Sequence, residues 1–217
     1  MAAPSDPLRV RAEHIGLFET GILHGHVEDA TTLNADLKAA IAQRRGQDAG
    51  LNRSNVGGWH STTDMLYWGG PAAERVWDTA LRMAKRLSYF EARDPDSVAW
   101  SVRMWANVSP PGALNMSHAH PGVLWAAVYY VDMGEEPGGS GGGELYFEDP
   151  RFPVPLMTFP GFRAVGVDGR PQQNERRLTT RAGDLVLFPA WVRHGVRPHC
   201  GSRERISIAM NIYGKEK

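Results

Sequence analysis

A single cysteine, Cys200, stands among 217 residues, so no intramolecular disulfide can form and stability must come from a packed core. At this length one core suffices without covalent or metal staples, and a single domain over residues 1–217 is expected. The chain also lacks net charge. Its 24 basic and 24 acidic residues cancel, which removes the global field that would draw it to nucleic acid or an anionic membrane. A nucleic-acid function would need a local patch, and residues 163–205 offer one, with nine arginines against Asp168, Glu175, Asp184 and Glu204, a bias equally suited to a small dianionic cosubstrate. Long apolar runs are missing as well. The longest, residues 123–131, has nine residues, too few to cross a bilayer as a helix and the right number for a buried strand. Residues 1–7 show no basic-then-apolar leader pattern, and with the lone cysteine this predicts a reducing, cytoplasmic setting.

What is present changes character along the chain. In the first part, Thr31 or Thr32 as N-cap, followed by Leu33, Leu37 and Ile41 at four-residue spacing, predicts a helix ending before Gly46. Pro71 suits a first helical position, and Trp77, Leu81, Ala84 and Leu87 continue a second helix toward a break at Asp94-Pro95. Residues 46–58 between them are polar and glycine-rich, hence a loop. After residue 96 the period becomes two. Val98, Trp100, Val102 and Met104 alternate, and short apolar runs at 123–131, 144–147, 185–188 and 206–212 read as strands. Turn signals at 109–112 and the glycine run at 138–143 separate them, with no helix long enough for parallel crossovers. The expectation is a mainly β fold with flanking helices (α+β), an antiparallel jelly roll or barrel. Residues 1–95 would supply helical support and N-terminal strands, and residues 96–214 the β core.

Two histidines, His118 and His120, stand two apart just before a predicted strand, and in an extended chain such side chains point the same way. Alone the spacing says little, since His24 and His26 repeat it near the start of the chain and receive no metal. His14, His60 and His199 read as structural or surface residues. The first pair gains weight from residues 183–194, where a turn, a buried strand and a Pro break lead to His194. Three neutral imidazoles suit a divalent transition metal, and three ligands leave positions open for oxygen and a chelating substrate.

With these motifs in order, the chain resembles the iron(II)/2-oxoglutarate-dependent oxygenases of the prolyl-hydroxylase-like group, in a bacterial and phage branch without an assigned substrate. The matching segments are SNVGGWHS (54–61), HAHPG (118–122), VYYV (128–131), GGELYFEDPR (142–151), GDLVLFPAWVRH (183–194) and RISIAMN (205–211). The resemblance implies a double-stranded β-helix of cupin-like form, with Fe(II) as metal and 2-oxoglutarate as cosubstrate. Molecular oxygen and an unidentified substrate would be the partners. His118 and His194 match the family's two histidine ligands, while His120 stands where a carboxylate is usual, leaving the site one charge more positive. Arg205 and Ser207 match the anchor for the far carboxylate of 2-oxoglutarate, a planar fork and a hydroxyl on one strand face. Tyr130 matches a tyrosine that helps hold it, and Asn115 and Asn211 are expected to face the site, Asn115 on the cosubstrate side.

Should His120 not be a ligand, Glu144, Glu148 or Asp149 would supply an oxygen. Two other functions fit the same residues. A cupin-like three-histidine dioxygenase or isomerase would not use 2-oxoglutarate; Gly112-x5-His118-x-His120 opens a cupin motif, but the glutamate expected next is missing. A non-catalytic, metal-stabilised binding module would instead use Trp59, Trp68, Trp105 and Trp191 as a recognition groove.

Overall fold

The computed structural model describes residues 11–91, 97–134, 142–151, 159 and 161–217. The Asp94-Pro95 break, most of the 138–143 glycine run and the 1–7 segment lie outside the described residues. The first helix, α1 (Thr31–Arg45), buries Leu33, Leu37 and Ile41 as their spacing requires. It has no threonine cap. The cap position is Ala30, with no side-chain hydrogen bond, because a turn through Asp29 (φ 52°) delivers the chain already in helical conformation. After the short α2 (Met65–Trp68), α3 (Gly70–Arg86) carries Pro71 in its first turn and buries Ala72, Ala73, Val76, Ala80 and Ala84. Small residues let this helix lie close to the sheet. Trp77 and Leu81 pack at its margin, whereas Leu87 caps the helix and is exposed, contrary to the expected stripe.

Eleven strands form two antiparallel sheets among the described residues. The larger runs β1 (Leu23–His26), β9 (Asp184–Pro189), β6 (Trp125–Asp132), β11 (Arg205–Glu216), β4 (Val98–Ser109) and β3 (Trp59–His60). The smaller runs β2 (Asn55–Val56), β5 (Leu114–His118), β10 (His194–Val196), β7 (Leu145–Glu148) and β8 (Glu175–Leu178). The two face each other as a double-stranded β-helix, but as separate sheets, so the arrangement is a jelly roll rather than a closed barrel. Strands β2 and β3 occupy the end of the stretch read as loop and its continuation. They are two residues each, too short for a hydrophobic period, and exist because β5 and β4 offer them pairing edges.

Period two gives the larger sheet two different faces. Met104, Ala106, Val108, Ile208, Met210, Ile212, Tyr129 and Leu187 pack with α1 and α3 in one core. Val186, Phe188, Ala126 and Tyr130 point the other way, into a second core shared with Leu145 and Phe147 of the smaller sheet. The helices therefore seal the outer face and leave the inner face for the site.

Strand β1 is held at the edge by polar contacts. His24 Nε2 lies 2.7 Å from Asp184 Oδ2, His26 Nδ1 2.8 Å from Oδ1, and the Arg181 backbone N–H donates to the same carboxylate at 3.0 Å. Burial alone would raise the Asp184 carboxyl, but bonds from His24, the Arg181 N–H and His26 outweigh it and hold it below 3.8. A carboxyl lowered in the folded state stabilises above its ordinary pKa and loses that contribution as pH falls through the lowered value. Asp184→Asn is expected to cost about 2 kcal/mol at pH 7. In urea unfolding, the gap between native chain and variant should narrow below about pH 4; a gap independent of pH would contradict this.

Candidate metal centre

His194 opens β10 directly opposite His118, the last residue of β5, in the antiparallel register. His120 lies past the end of β5, in the turn Pro121-Gly122 (Gly122 φ 80°), so two-residue alternation alone does not aim it. Its aim comes from a tertiary bond. The His120 N–H donates to the Ala190 carbonyl at 2.9 Å, fastening this turn to the Pro189–Val192 turn that leads into β10. That second turn is closed by the Val192 N–H on the Pro189 carbonyl.

The imidazoles of His118, His120 and His194 offer nitrogen atoms that all lie within 4.8 Å of one another, the one such group of metal-ligating side chains among the described residues. His120 Nε2 and His194 Nε2 are 3.3 Å apart, and ring centroids are separated by 4.5 to 5.1 Å. His118 Nδ1 lies 2.7 Å from the Met116 carbonyl and His194 Nδ1 2.8 Å from the Val192 carbonyl. A carbonyl only accepts, so both Nδ1 atoms carry the proton and both Nε2 lone pairs are left for an ion. Burial drives all three imidazoles toward the neutral form: His194 falls to about 3, His120 to about 4, and His118 is lowered. Phe188 stands edge-on to His194 at 4.6 Å, the apolar wall that causes this. Three neutral, converging imidazoles, two of them with the tautomer fixed by a carbonyl, fit a divalent transition metal.

The triad opens on a cavity of about 580 Å³ between the sheets. Arg205, Ser207, Tyr130 and Asn115 all line it. Arg205, only 2% exposed, begins β11, and its guanidinium carbon lies 5.0 Å from the Tyr130 ring. Ser207 pairs across strands with Tyr130 and is also buried. Burial raises the Tyr130 hydroxyl above 10, and Arg205 partly offsets this. Arg205 is thus no surface arginine; Glu204 beside it pairs outward with Arg45. Asn115 comes from the opposite sheet, where its amide donates to Ser54 Oγ at 3.2 Å, and Asn211 reaches the cavity from β11.

The carboxylates considered as substitute ligands are engaged elsewhere, Glu148 with Arg193 and Asp149 with Arg151, and Glu144 does not join the cluster. The tryptophans do not share a surface. Trp59 and Trp68 pack on the helix-side core, Trp105 lines the cavity, and Trp191 is exposed on a turn. His24 and His26 serve Asp184. His199 is buried on the Arg203 carbonyl. His60 is buried too, but it also stacks on Trp105 at 5.3 Å and lines the cavity, a place its sequence neighbours did not signal. Gly195 was equally silent. A Cβ there would lie 2.6 Å from the Tyr146 hydroxyl and 2.8 Å from the Asn115 carbonyl, so only glycine lets β10 fit between β5 and β7.

Fold and site together define a double-stranded β-helix protein with a candidate metal centre, and comparison with known proteins gives its class. A family model described as "Putative 2OG-Fe(II) oxygenase" matches residues 103–211, half of the chain. The protein belongs to this family of iron(II)- and 2-oxoglutarate-dependent oxygenases. No curated protein matches the chain significantly. Among solved structures, a prolyl-4-hydroxylase from Pseudomonas putida is similar at 20% identity and TM-score 0.57, covering 89% of this chain and 92% of its own. A Trichoplax adhaerens prolyl hydroxylase, solved with a hypoxia inducible factor peptide fragment, is similar at 11% identity and TM-score 0.61, covering 89% and 84%. HygX from Streptomyces hygroscopicus, solved with nickel and 2-oxoglutarate, follows at 13% and 0.57, covering 89% and 83%. At these identities the likeness is one of fold.

Gly195→Ala should displace β10 and with it His194. Nickel binding to the metal-stripped chain, followed by calorimetry, is expected to weaken by about tenfold or more, with stability reduced by ~1–3 kcal/mol. Unchanged nickel affinity would show that the close approach at residue 195 does not set the ligand geometry.

Proposed function

We propose that His118, His120 and His194 hold the ferrous iron of this oxygenase, and that Arg205 with Ser207 binds the far carboxylate of 2-oxoglutarate. The observation that carries this reading is a single cavity with three converging imidazoles on its wall and a buried guanidinium lining it. When bound, iron and 2-oxoglutarate supply activation of dioxygen, with release of succinate and carbon dioxide and oxidation of a substrate C–H bond. The protein's own residues bind and orient. Arg205 offers a planar fork to a carboxylate, the Ser207 hydroxyl adds a donor, and the Tyr130 ring packs against the guanidinium so that the fork keeps its position. Asn115, fixed by Ser54, faces the cavity from the other sheet and is assigned to the cosubstrate side. Phe188 and Phe147 keep water from the back of His194. No side chain has to act as nucleophile or general base, since the cofactor carries the chemistry.

One observation favours a second reading. All three ligands are imidazoles, with no carboxylate in the cluster, as a three-histidine dioxygenase independent of 2-oxoglutarate would have. We assign the protein to a reducing compartment such as the cytoplasm, on its one exposed free cysteine; no helix among the described residues is long and apolar enough to cross a membrane.

Anaerobic titration of the iron-loaded chain with 2-oxoglutarate should raise the visible charge-transfer band and, on admitting oxygen, yield succinate. Arg205→Gln is expected to weaken 2-oxoglutarate binding by about thirtyfold or more, the usual consequence of removing one partner of a buried charge pair. Ser207→Ala, which leaves the buried arginine in place, should weaken it by roughly fivefold. Iron uptake without any 2-oxoglutarate response would favour the second reading. Loss of iron binding in none of the single histidine-to-alanine variants would sink both.

A further inference from the structure

The inner face of the larger sheet carries a second guanidinium that the proposed chemistry does not use. Alternation places Arg103, Trp105 and Asn107 of β4 and Arg205, Ser207, Ala209, Asn211 and Tyr213 of β11 along one cavity wall. The register orders them into rungs: Ser207 faces Asn107, Ala209 faces Trp105, Asn211 faces Arg103. Trp105 is the rung beside the triad, its ring 6.5 Å from that of His120. From there Arg205 lies two rungs in one direction along β11 and Arg103 one rung in the other, each same-face rung being roughly 7 Å. The triad is therefore bracketed by two arginines on opposite sides. A third, Arg53, reaches the same cavity from the loop before β2, on the facing sheet.

The charge of this wall is one-sided. Among the described residues lining the cavity there are three arginines and no aspartate or glutamate. Arg103 is held over the Tyr213 ring at 5.5 Å, a partner that fixes a guanidinium while neutralising none of its charge. Asn211, its register partner, adds an amide to the same end, and Trp105 stacked on His60 gives an aromatic flank between that end and the triad. Arg103 and Arg53 are themselves exposed, so they stand on the open side of the cavity, where a cluster of like charge attracts anions. At about 580 Å³ the open cavity has the size of small-molecule sites.

Resting on the oxygenase reading above, we infer that Arg103 and Arg53 form a second anion site, across the triad from Arg205, that binds the carboxylate or phosphate of a small organic substrate. The substrate's anionic end sits between these two guanidiniums and its apolar portion lies along Trp105, which brings its C–H bonds to the histidine end of the cavity. Two separated anion sites also keep substrate and cosubstrate from exchanging places, because each charge has its own fork.

The test uses the iron-loaded chain, anaerobic and saturated with 2-oxoglutarate, titrated with hippurate, with its uncharged primary amide and with phenyl phosphate. Binding is read by ligand-observed NMR. At least one of the two anions should bind about tenfold or more tighter than the amide, and which one it is separates carboxylate from phosphate recognition. The double variant Arg53→Gln, Arg103→Gln should lose that preference by about tenfold or more, while its 2-oxoglutarate affinity stays within about twofold and its unfolding midpoint is unchanged. Equal binding of amide and anions, no binding of either anion at millimolar concentration, or a preference that survives in the double variant overturns the inference. Absence of the 2-oxoglutarate band in the native chain is a separate outcome, which removes the oxygenase reading and this inference with it.

Discussion

Strand β10 has three residues, and its pairing with β5 sets His194 opposite His118. Everything the site does depends on that rung. Two imidazoles on facing residues of neighbouring strands start about 5 Å apart at the backbone, the separation at which their ring nitrogens can meet one ion. The third is supplied by a turn, and the His120 N–H on the Ala190 carbonyl links that turn to the chain leading into His194. The candidate ligand set is thereby a property of two turns and one strand pair. Gly195 is the condition for it, since any side chain there would push β10 out from between its neighbours.

The larger sheet makes the site possible by keeping its two faces chemically distinct. Along β11, Ile206, Ile208, Met210 and Ile212 pack toward the helices, while Arg205, Ser207, Asn211 and Tyr213 line the cavity. Burying one face against α1 and α3 supplies the apolar area that stabilises the fold. The opposite face is then free to carry polar groups that would be costly in a core. Arg205 shows the limit of this arrangement: a guanidinium 2% exposed is sustained by its place at a strand start beside Tyr130 and Ser207, in a wall that faces the cavity.

Charge distribution gives the site its character. Burial disfavours the imidazolium at all three histidines, and among the described residues the cavity adds arginines without carboxylates. An iron ion held by these three imidazoles would retain its full charge, where the more usual carboxylate ligand would cancel part of it. A dianionic cosubstrate compensates directly. The zero net charge of the chain conceals this, since acidic residues such as Asp132, Asp149 and Glu204 are engaged in ion pairs away from the cavity.

Much of this was legible from the residues. Alternation after residue 96 located β4, and short apolar runs located β6, β7, β9 and β11, because a strand buried on both faces reads as a continuous apolar stretch. The order of HAHPG, the 183–194 segment and Arg205-Ile206-Ser207 singled out the residues that do line one cavity. The strands β1, β2, β3, β5, β8 and β10 were not legible, since they are short and carry no apolar run, and are extended because a neighbouring strand offers an edge. The same holds for His60, Gly195 and the Asp184 clamp, whose roles come from contacts over 45 to 160 residues. Local sequence determined which residues alternate, which turn and which carry lone pairs or charge, for those follow from backbone sterics and side-chain chemistry. Only the tertiary structure decided which of them meet, because register and the facing of two sheets are set by packing between segments distant along the chain.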